Sequence, residues 1–237
     1  MQELLTEAFA EEGLMLSSRQ AEQFEQYYAI LLDWNQRMNL TAIEDAEDVV
    51  YKHFLDSALT MQATGPLAGR RLIDVGTGAG FPDVPLKIME PALNLCLFDS
   101  LQKRITFLTH LCGELGLADV STLHGRAEEF GQNAAYREQY DLATARAVAK
   151  LPILSELCLP FVKVGGCFIA LKGPELTQEL TEGRRAVELL GGKIGEVKHI
   201  TLAHGQYERN LVVIEKVRPT PKKYPRRAGT PQKTPLN

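Results

Sequence analysis

The stretch LIDVGTGAGFPDVPLKI, Leu72 to Ile88, places three glycines within five residues, between an apolar run and a segment with the pattern of a helix. Gly76, Gly78 and Gly80 have no Cβ, so the backbone can turn sharply there and come close to a ligand. We expect this turn to join the first strand of a sheet to its first helix. Ligands of parallel α/β sheets bind at the carboxyl ends of the strands. The stretch therefore predicts an α/β fold with a small-molecule site.

Outward from this turn, apolar β-prone runs alternate with helical segments, which predicts a parallel sheet with helices on both faces. The last two strands follow one another without a helix between them, so we expect them to pair antiparallel at one edge. The predicted fold is a mostly parallel seven-stranded sheet with an antiparallel edge. The predicted strands are 71–75, 94–99, 119–124, 140–146, 167–172, 194–202 and 210–217, and the predicted helices are 82–90, 101–115, 148–162 and 175–191.

The amino-terminal part has the pattern of a helical extension. Ser17 followed by Gln20 is typical of a capping box at a helix start, and apolar residues at helical spacing continue to about Arg37. A second amphipathic helix is predicted to begin near Asp45. We therefore expect three parts: an amino-terminal helical extension (1–66), an α/β domain (67–217) and a proline-rich tail (218–237).

Composition narrows the classes of protein to which the chain can belong. It has 237 residues, of which 45% are hydrophobic and 24% charged, as in one medium domain with an appendage. It contains no run of about 18 apolar residues and opens on an acidic segment unlike a signal peptide, so we expect a cytoplasmic protein without membrane contact. The four cysteines lie apart without a CxxC pair, which argues against a metal site and predicts buried free thiols.

The charge is distributed unevenly along the chain. The last 21 residues contain six of the 26 basic residues and no acidic one, so this end carries +6 and the rest −10. Five prolines predict an extended tail that forms no helix. We also expect this tail to lie outside any cofactor pocket. One interpretation is a solvated, disordered end. The other is an arm that binds nucleic-acid phosphates and stacks an aromatic ring on a base, through Lys222, Lys223, Tyr224, Arg226 and Arg227.

The glycine spacing and two acidic residues discriminate among nucleotide ligands. Dinucleotide sites have the pattern GxGxxG, whereas residues 76–80 read GxGxG, and Asp74 stands two residues before the first glycine. A carboxylate there would repel a phosphate and attract a ligand that carries an amine and a sulfonium. Asp99 ends the second predicted strand, where a carboxylate accepts both ribose hydroxyls of a nucleoside. These residues favour S-adenosylmethionine over NAD, and a cap on the following helix is the alternative role for Asp99.

Several segments, in order along the chain, resemble those of one family. They are KHFLDSAL, DVGTGAGFP, LFDSLQKRITFL, GRAEEF, YDLATARAVAKL and PTPKKYPRRAGTP. Over nearly its whole length the chain resembles the RsmG (GidB) family of ribosomal RNA methyltransferases. The resemblance implies a class I, Rossmann-like S-adenosylmethionine-dependent methyltransferase fold. It also implies methyl transfer to N7 of a guanosine in the decoding-region hairpin of 16S rRNA, within the small ribosomal subunit or an assembly intermediate.

The same resemblance implies roles for individual residues. Gly76 and Phe81 would line the methionine end of the cofactor, and Ala127 and Glu128 would contact its adenine side. Arg146 would project from the loop after the fourth strand. The family usually has a small residue after Phe-Pro, and the carboxylate of Asp83 could crowd or repel that of the cofactor. The residues expected to bind the cofactor, from the motif and from the resemblance together, are Asp74, Gly76, Gly78, Gly80, Phe81, Asp99, Ala127, Glu128 and Arg146.

Guanine N7 carries a lone pair and no proton, so its attack on a sulfonium methyl group needs no general base. This agrees with a sequence that lacks an obvious acid–base constellation and whose five histidines are dispersed. Arg146 and Lys172, both predicted at the carboxyl edge of the sheet, are the candidates for positioning the phosphate or base of the substrate. For Lys172, an ordinary cation at a strand end is the alternative.

Two other classes of function remain open at this point. A methyltransferase that acts on a small molecule or a protein would share the cofactor residues but leave the basic tail unexplained. A non-catalytic RNA-binding assembly factor would explain the tail but not the cofactor residues.

Overall fold

The computed structural model describes residues 1–146, 149–203 and 205–236, and one seven-stranded sheet runs through them. Its strands are β1 (Arg71–Val75), β2 (Asn94–Asp99), β3 (Val120–His124), β4 (Tyr140–Arg146), β5 (Val162–Lys172), β6 (Gly192–Leu202) and β7 (Tyr207–Lys216). They lie in the order 3-2-1-4-5-7-6; β1 to β5 are parallel, and β7 pairs antiparallel with both β5 and β6. The predicted mostly parallel sheet with an antiparallel edge is confirmed.

Strand β1 lies where the strand order reverses, because the chain adds β2 and β3 on one side of it and β4 onward on the other. All residues of this strand after Arg71 are buried, as expected for a parallel strand covered on both faces. In such sheets a crevice opens at the reversal, outside the carboxyl ends of the strands. The glycine turn that follows Val75 lies at this crevice.

The amino-terminal helices follow the predicted start signals. Ser17 and Gln20 form a complete capping box, and the Asp45 side chain accepts hydrogen bonds from the backbone of the next helix. The sequence did not predict the first helix or the π-helical turn. The elements are α1 (Gln2–Glu11), α2 (Ser18–Met38), α3 (Ala46–Val49), the π-helical turn (Val50–Leu55), α4 (Asp56–Ala58) and α5 (Met61–Thr64).

These helices pack directly on the glycine turn. The Tyr27 hydroxyl donates a 2.5 Å hydrogen bond to the carbonyl oxygen of Ala79, and its ring stacks on Phe81 with 5.3 Å between centroids. Phe24 and Phe54 continue the same aromatic cluster away from the turn. Residues of the amino-terminal extension and of the sheet therefore share one hydrophobic core.

The remaining helices cover the two faces of the sheet. They are α6 (Asp83–Met89), α7 (Gln102–Glu114), α8 (Ala127–Phe130), α9 (Leu151–Cys158), a 3₁₀ turn (Leu159–Phe161) and α10 (Thr177–Leu189). The start predicted at 148 for the helix that corresponds to α9 lies outside the described residues. Its predicted end at 162 is wrong, because Val162 begins β5 and pairs with Tyr140. The glycines at 165 and 166 interrupt the strand pattern and hid this beginning.

Among the described residues, no helix is both long enough and apolar enough to cross a membrane. Cys96, Cys112 and Cys158 are buried free thiols, as predicted, and Cys167 is half-buried.

The prediction of a tail without a helix is wrong. The tail contains α11 (Thr230–Lys233), and its proline lies in the first turn, where the missing N–H removes no helical hydrogen bond. Arg137 fixes the tail to the body of the protein by donating to the carbonyl oxygens of Thr220 and Tyr224, at 2.6 and 2.8 Å. The cations of the tail are therefore held on a folded surface.

Candidate active site

Two adjoining cavities open at the carboxyl end of β1. The first, which we name the β2 cavity, has a volume of about 300 Å³ and lies against the ends of β2 and β3 and the start of α8. The second, the His53 cavity, has a volume of about 490 Å³ and lies between the glycine turn and the amino-terminal helices. Both are lined by Gly76, Asp99 and Ser100, so the two cavities form one continuous groove.

The glycine turn has the backbone conformation that its sequence predicts. Gly76, Gly78 and Gly80 have φ angles of 80°, 62° and 98°, in the region that favours glycine. A Cβ at Gly80 would lie 2.7 Å from the Tyr27 hydroxyl, so this glycine permits close packing against α2. A Cβ at Gly78 would meet no side chain, so the backbone there is open towards the His53 cavity. The turn therefore offers a bare backbone surface to a ligand.

Asp99 connects the glycine turn to β2 at the junction of the two cavities. Its Oδ2 accepts hydrogen bonds from Gly78 N at 3.0 Å and from Arg104 Nη1 at 3.2 Å, and its Oδ1 accepts one from Leu101 N at 2.9 Å. Helix α7 begins without a side-chain cap, so Asp99 is not the cap that the alternative interpretation required. A carboxylate offers about four acceptor positions, and at least one remains for a ribose hydroxyl.

Asp74 and Asp83 are completely buried beneath the glycine turn and do not line either cavity. Both carboxylate oxygens of Asp74 and Oδ1 of Asp83 have no hydrogen-bond partner among the described residues, while Oδ2 of Asp83 accepts from the Thr144 hydroxyl. Burial raises the pKa of Asp74 well above its usual range, and it raises the pKa of Asp83 to about 7. The Asp83 side chain therefore does not face the cofactor cavity, and the expectation that it crowds the cofactor is wrong. Asp74 does not reach the cavity either, and its raised pKa favours the neutral acid, so the expectation of a charged carboxylate in contact with the cofactor is also wrong.

Arg146 lines the His53 cavity, but its guanidinium is largely occupied by the amino-terminal helices. It donates to Asp56 Oδ2 and to the carbonyl oxygen of Lys52, at 3.2 and 3.3 Å, and its Nη2 lies 3.2 Å from His53 Nδ1. The guanidinium also lies over the Phe81 ring, 4.8 Å from its centroid. The structure thus brings Arg146 and Phe81 together on one wall of the His53 cavity.

His53 is a site residue that the sequence did not single out. Its ring stacks on Phe81 at 4.5 Å, and its Nε2 lies 2.9 Å from the Thr41 hydroxyl. Burial and the neighbouring Arg146 charge lower the pKa of His53 to about 3, so the ring is neutral. Nδ1 lies 3.2 Å from Arg146 Nη2 and 3.1 Å from the carbonyl oxygen of Lys52, so a donor and an acceptor of the protein both face it. The segment KHFLDSAL, already matched to a family, was the signal that could have drawn attention to it.

Lys172 lies outside the groove, in a third cavity of about 300 Å³ that we name the Arg209 cavity. Its Nζ lies 2.5 Å from Glu179 Oε1 and donates to the carbonyl oxygen of Ala149 at 2.6 Å. The side chain is therefore paired, as in the alternative interpretation of an ordinary cation at a strand end. The Arg209 cavity is lined by Ile43, Lys52, His53, Arg146, Leu171, Lys172, Gly173 and Arg209.

The tail forms one wall of the β2 cavity, so the expectation that it lies outside the cofactor pocket is wrong. Gly229 and Pro231 line this cavity together with Ala127 and Glu128, the two residues expected beside adenine. The Gly229 backbone N–H donates a 2.9 Å hydrogen bond to Glu128 Oε1. The Glu128 carboxylate therefore already has a partner within the protein.

Two of the five tail residues expected to bind RNA are held in other contacts. Tyr224 is buried, with 6% of its surface exposed, so its ring is not available to stack on a base. Arg226 donates to both carboxylate oxygens of the fully buried Glu156, at distances from 2.6 to 3.1 Å. Three exposed cations of the predicted set remain, Lys222, Lys223 and Arg227.

The groove fits S-adenosylmethionine in the chemistry of its walls. Apolar side chains, including Phe98 and Leu154, line the β2 cavity as a slot for a base. Asp99 stands between this slot and the glycine turn, where a nucleoside would place its ribose. Beyond the ribose, the open backbone at Gly78 leaves room for the methionine part.

Comparisons with known proteins agree with this chemistry. The chain matches the family model GidB, rRNA small subunit methyltransferase G, over residues 20–212. It is 53% identical over 229 residues to Ribosomal RNA small subunit methyltransferase G of Bacillus cytotoxicus, covering 95% of each chain. To that of Alkaliphilus metalliredigens it is 52% identical over 233 residues, covering 98% of each chain.

A solved structure of a SAM dependent methyltransferase from Aquifex aeolicus shares the fold, with a TM-score of 0.52 at 18% identity over 74% of this chain and 96% of that one. Together with the sheet order, this similarity shows a class I methyltransferase fold. With half of its residues identical to curated relatives over nearly its full length, the chain belongs to the rRNA small subunit methyltransferase G family.

Proposed function

We propose that this protein transfers the methyl group of S-adenosylmethionine to N7 of a guanosine in 16S rRNA. Membership of the family supports this reaction. The observation that carries it in the structure is the continuous groove at the carboxyl end of β1, which is apolar at one end and cationic at the other. The apolar end suits the adenine of the cofactor, and the end beside Arg146 suits a nucleotide of RNA.

On the cofactor side, the residues act by binding and by excluding water. Ala127, Phe98 and Leu154 form the walls of the base slot. Asp99 would accept a hydrogen bond from the ribose of the bound cofactor. The bound cofactor supplies an electrophilic methyl group. Pro231 of the tail adds to the wall of the slot.

On the acceptor side, the residues position the guanine. The stacked rings of His53 and Phe81 form a rigid apolar wall, and the neutral His53 presents no positive charge to the sulfonium. Guanine N7 has no proton to remove, so a site without a general base is sufficient. Holding the reactants at attack distance can contribute about 7–11 kcal/mol to catalysis.

We place the reaction in the cytoplasm, on the small ribosomal subunit or an intermediate in its assembly. The exposed cations Lys222, Lys223 and Arg227 belong to the tail, whose residues Gly229 and Pro231 line the β2 cavity. RNA docked at the groove would pass close to them, which supports a large, anionic substrate over a small molecule.

Methyl transfer from labelled S-adenosylmethionine tests the proposal. Isolated small subunits, naked 16S rRNA and total cell protein are offered in parallel, and mass spectrometry of the digested RNA locates the methyl group. We expect 7-methylguanosine at a single site of the RNA and no labelled protein.

Two outcomes would contradict this function. Labelled protein without labelled RNA would indicate the protein methyltransferase. Binding of rRNA without binding of S-adenosylmethionine in calorimetry would indicate the non-catalytic assembly factor.

A further inference from the structure

The Arg209 cavity adjoins the His53 cavity, and His53 and Arg146 line both. Within the described ranges, the residues that line it include four cations and no acidic side chain. The carboxylates that pair with these cations, Asp48, Asp56 and Glu179, do not line the cavity. Each of them pairs with a cation without forming part of the wall, so the ionised side chains of the wall itself are all positive.

Asp56 supports two of these cations at once. Its side chain has 2% of its surface exposed, and its two oxygens contact Arg146 Nη1 at 3.2 Å and Arg209 Nε at 3.0 Å. One negative charge is thus shared between two guanidinium groups. The pair of arginines keeps a net positive charge, which remains available to an anion.

Arg209 has free donors for a ligand. It contacts Asp56 through Nε, and within the described part of the chain its two terminal nitrogens have no protein partner. A third of its side chain, 33%, is exposed, so an incoming ligand can reach it. The planar fork of arginine matches a phosphate better than a point charge does. Lys52 stands at the same cavity, over the Tyr207 ring at 4.6 Å and paired with Asp48 at 2.7 Å.

We propose that the Arg209 cavity binds a backbone phosphate of the substrate RNA beside the target nucleotide, through the terminal nitrogens of Arg209 and the ammonium of Lys52. This rests on the proposed function, because a guanosine in the His53 cavity brings its own phosphodiester with it. The shared wall of His53 and Arg146 places the neighbouring cavity next to the acceptor base. The site would fix the position of the RNA backbone and carry no sequence preference.

The salt dependence of RNA binding tests this assignment. A 16S rRNA transcript is titrated with the full-length protein at several salt concentrations, by a direct binding assay that needs no activity. Log affinity falls linearly with log salt, and each phosphate contact that is lost makes this fall less steep by roughly 0.7 to 0.9. Below, a lower slope means a less steep fall. We expect Arg209→Gln to lower the slope by this amount and to weaken binding about tenfold at low salt.

Three further variants make the result specific. Arg209→Lys keeps the charge, so it should keep the slope while losing part of the affinity that the fork provides. Lys52→Gln should lower the slope by a similar step, and it leaves both partners of Asp56 in place if Arg209→Gln fails to fold. Arg184→Gln removes an exposed arginine of α10 that lines none of these cavities, and it should leave slope and affinity unchanged.

An unchanged slope in both folded Arg209→Gln and Lys52→Gln overturns the proposal. A loss of S-adenosylmethionine affinity in Arg209→Gln, without a change in RNA binding, also overturns it and assigns the arginine to the cofactor. Methyl transfer to RNA by the wild-type protein is measured in a separate assay, which distinguishes failure of the proposed function from failure of the phosphate site. Wild-type protein that methylates no RNA contradicts the proposed function, whereas an active wild type with an insensitive slope contradicts this phosphate site alone.

Discussion

Glu156 lies beneath the tail, and Asp74 and Asp83 lie beneath the glycine turn. All three are completely buried, yet their surroundings differ. Glu156 is bound by Arg226 through three side-chain hydrogen bonds. In the described part of the chain, neither Asp74 nor Asp83 has a cation within salt-bridge distance.

The difference shows two ways in which a fold keeps a carboxyl group out of water. The charge of Glu156 is neutralised by a cation from a distant segment, since Arg226 lies 70 residues away in the chain. Asp83 is instead neutralised by a proton, because burial raises its pKa to about 7 and favours the uncharged acid. Stability should therefore depend on the tail in one region and on pH in the other.

The largest effect is expected from removing the tail. Deletion of the residues after Val217 takes away Arg226 together with the segment that covers Glu156, and removing one partner of a buried ion pair typically costs about 3–5 kcal/mol. The deletion also opens the β2 cavity, because Gly229 and Pro231 form part of its wall. We expect a lower melting temperature and weaker S-adenosylmethionine binding, measured by thermal unfolding and by calorimetry.

A matched control separates packing from charge. Changing Lys222, Lys223 and Arg227 together to glutamine removes exposed tail charges and leaves the Arg226–Glu156 contact intact. This variant should melt like the wild type and bind the cofactor normally, while binding RNA more weakly. A truncated protein with unchanged melting temperature and cofactor affinity would contradict the structural role of the tail.

The second prediction concerns pH and Asp83. In the unfolded chain its carboxyl has the ordinary value of 3.8, and in the folded protein its pKa is about 7. Between these values the folded state keeps a proton that the unfolded state has lost, so stability falls as pH rises from about 4 to about 7. The fall is up to about 1.4 kcal/mol per pH unit, and this contribution levels off above the folded pKa.

Asp83→Asn should flatten this part of the stability curve, because an amide stays neutral at every pH. Denaturant unfolding at several pH values measures it, with the exposed Asp33→Asn as the control that keeps the wild-type curve. Cofactor affinity should not change, since Asp83 does not line the groove. A variant as steep in pH as the wild type would contradict the protonated state.

The smallest effect is expected at Asp99. Its surroundings are intermediate between those of Glu156, which is fully paired, and those of Asp83, which has no cation within salt-bridge distance among the described residues. Asp99 is buried, with 2% exposed, but it has a cation, Arg104, and two backbone donors. Asp99→Ala removes an acceptor of ribose and the bond that holds Gly78, and a charged hydrogen bond contributes about 1.5–3 kcal/mol. We expect at least tenfold weaker S-adenosylmethionine binding in calorimetry, whereas equal affinity in a folded variant would remove Asp99 from the cofactor site.

Local patterns predicted the elements of the fold better than the contacts of the site. The strands around the glycine turn were found because apolar runs and helical spacing are visible within a few residues. The start of β5 was missed because two glycines weaken its pattern, and α11 was missed because prolines were taken to exclude any helix. Near the site, the glycine turn and Asp99 were found from spacing, whereas no spacing pattern singles out His53 or Arg209.

The sequence by itself determined the order of strands and helices, the bare glycine backbone at the end of β1 and the family. These depend on periodicity, on conformational freedom and on matched segments, which are properties of neighbouring residues. Only the tertiary structure decided which charges are paired. His53 and Arg146 are 93 residues apart, and Asp56 and Arg209 are 153 apart. A cation can bind a ligand, such as RNA, or a buried carboxylate, such as Glu156. The choice depends on which group folding brings within about 3 Å of the cation, and the spacing of residues in the sequence does not encode that distance.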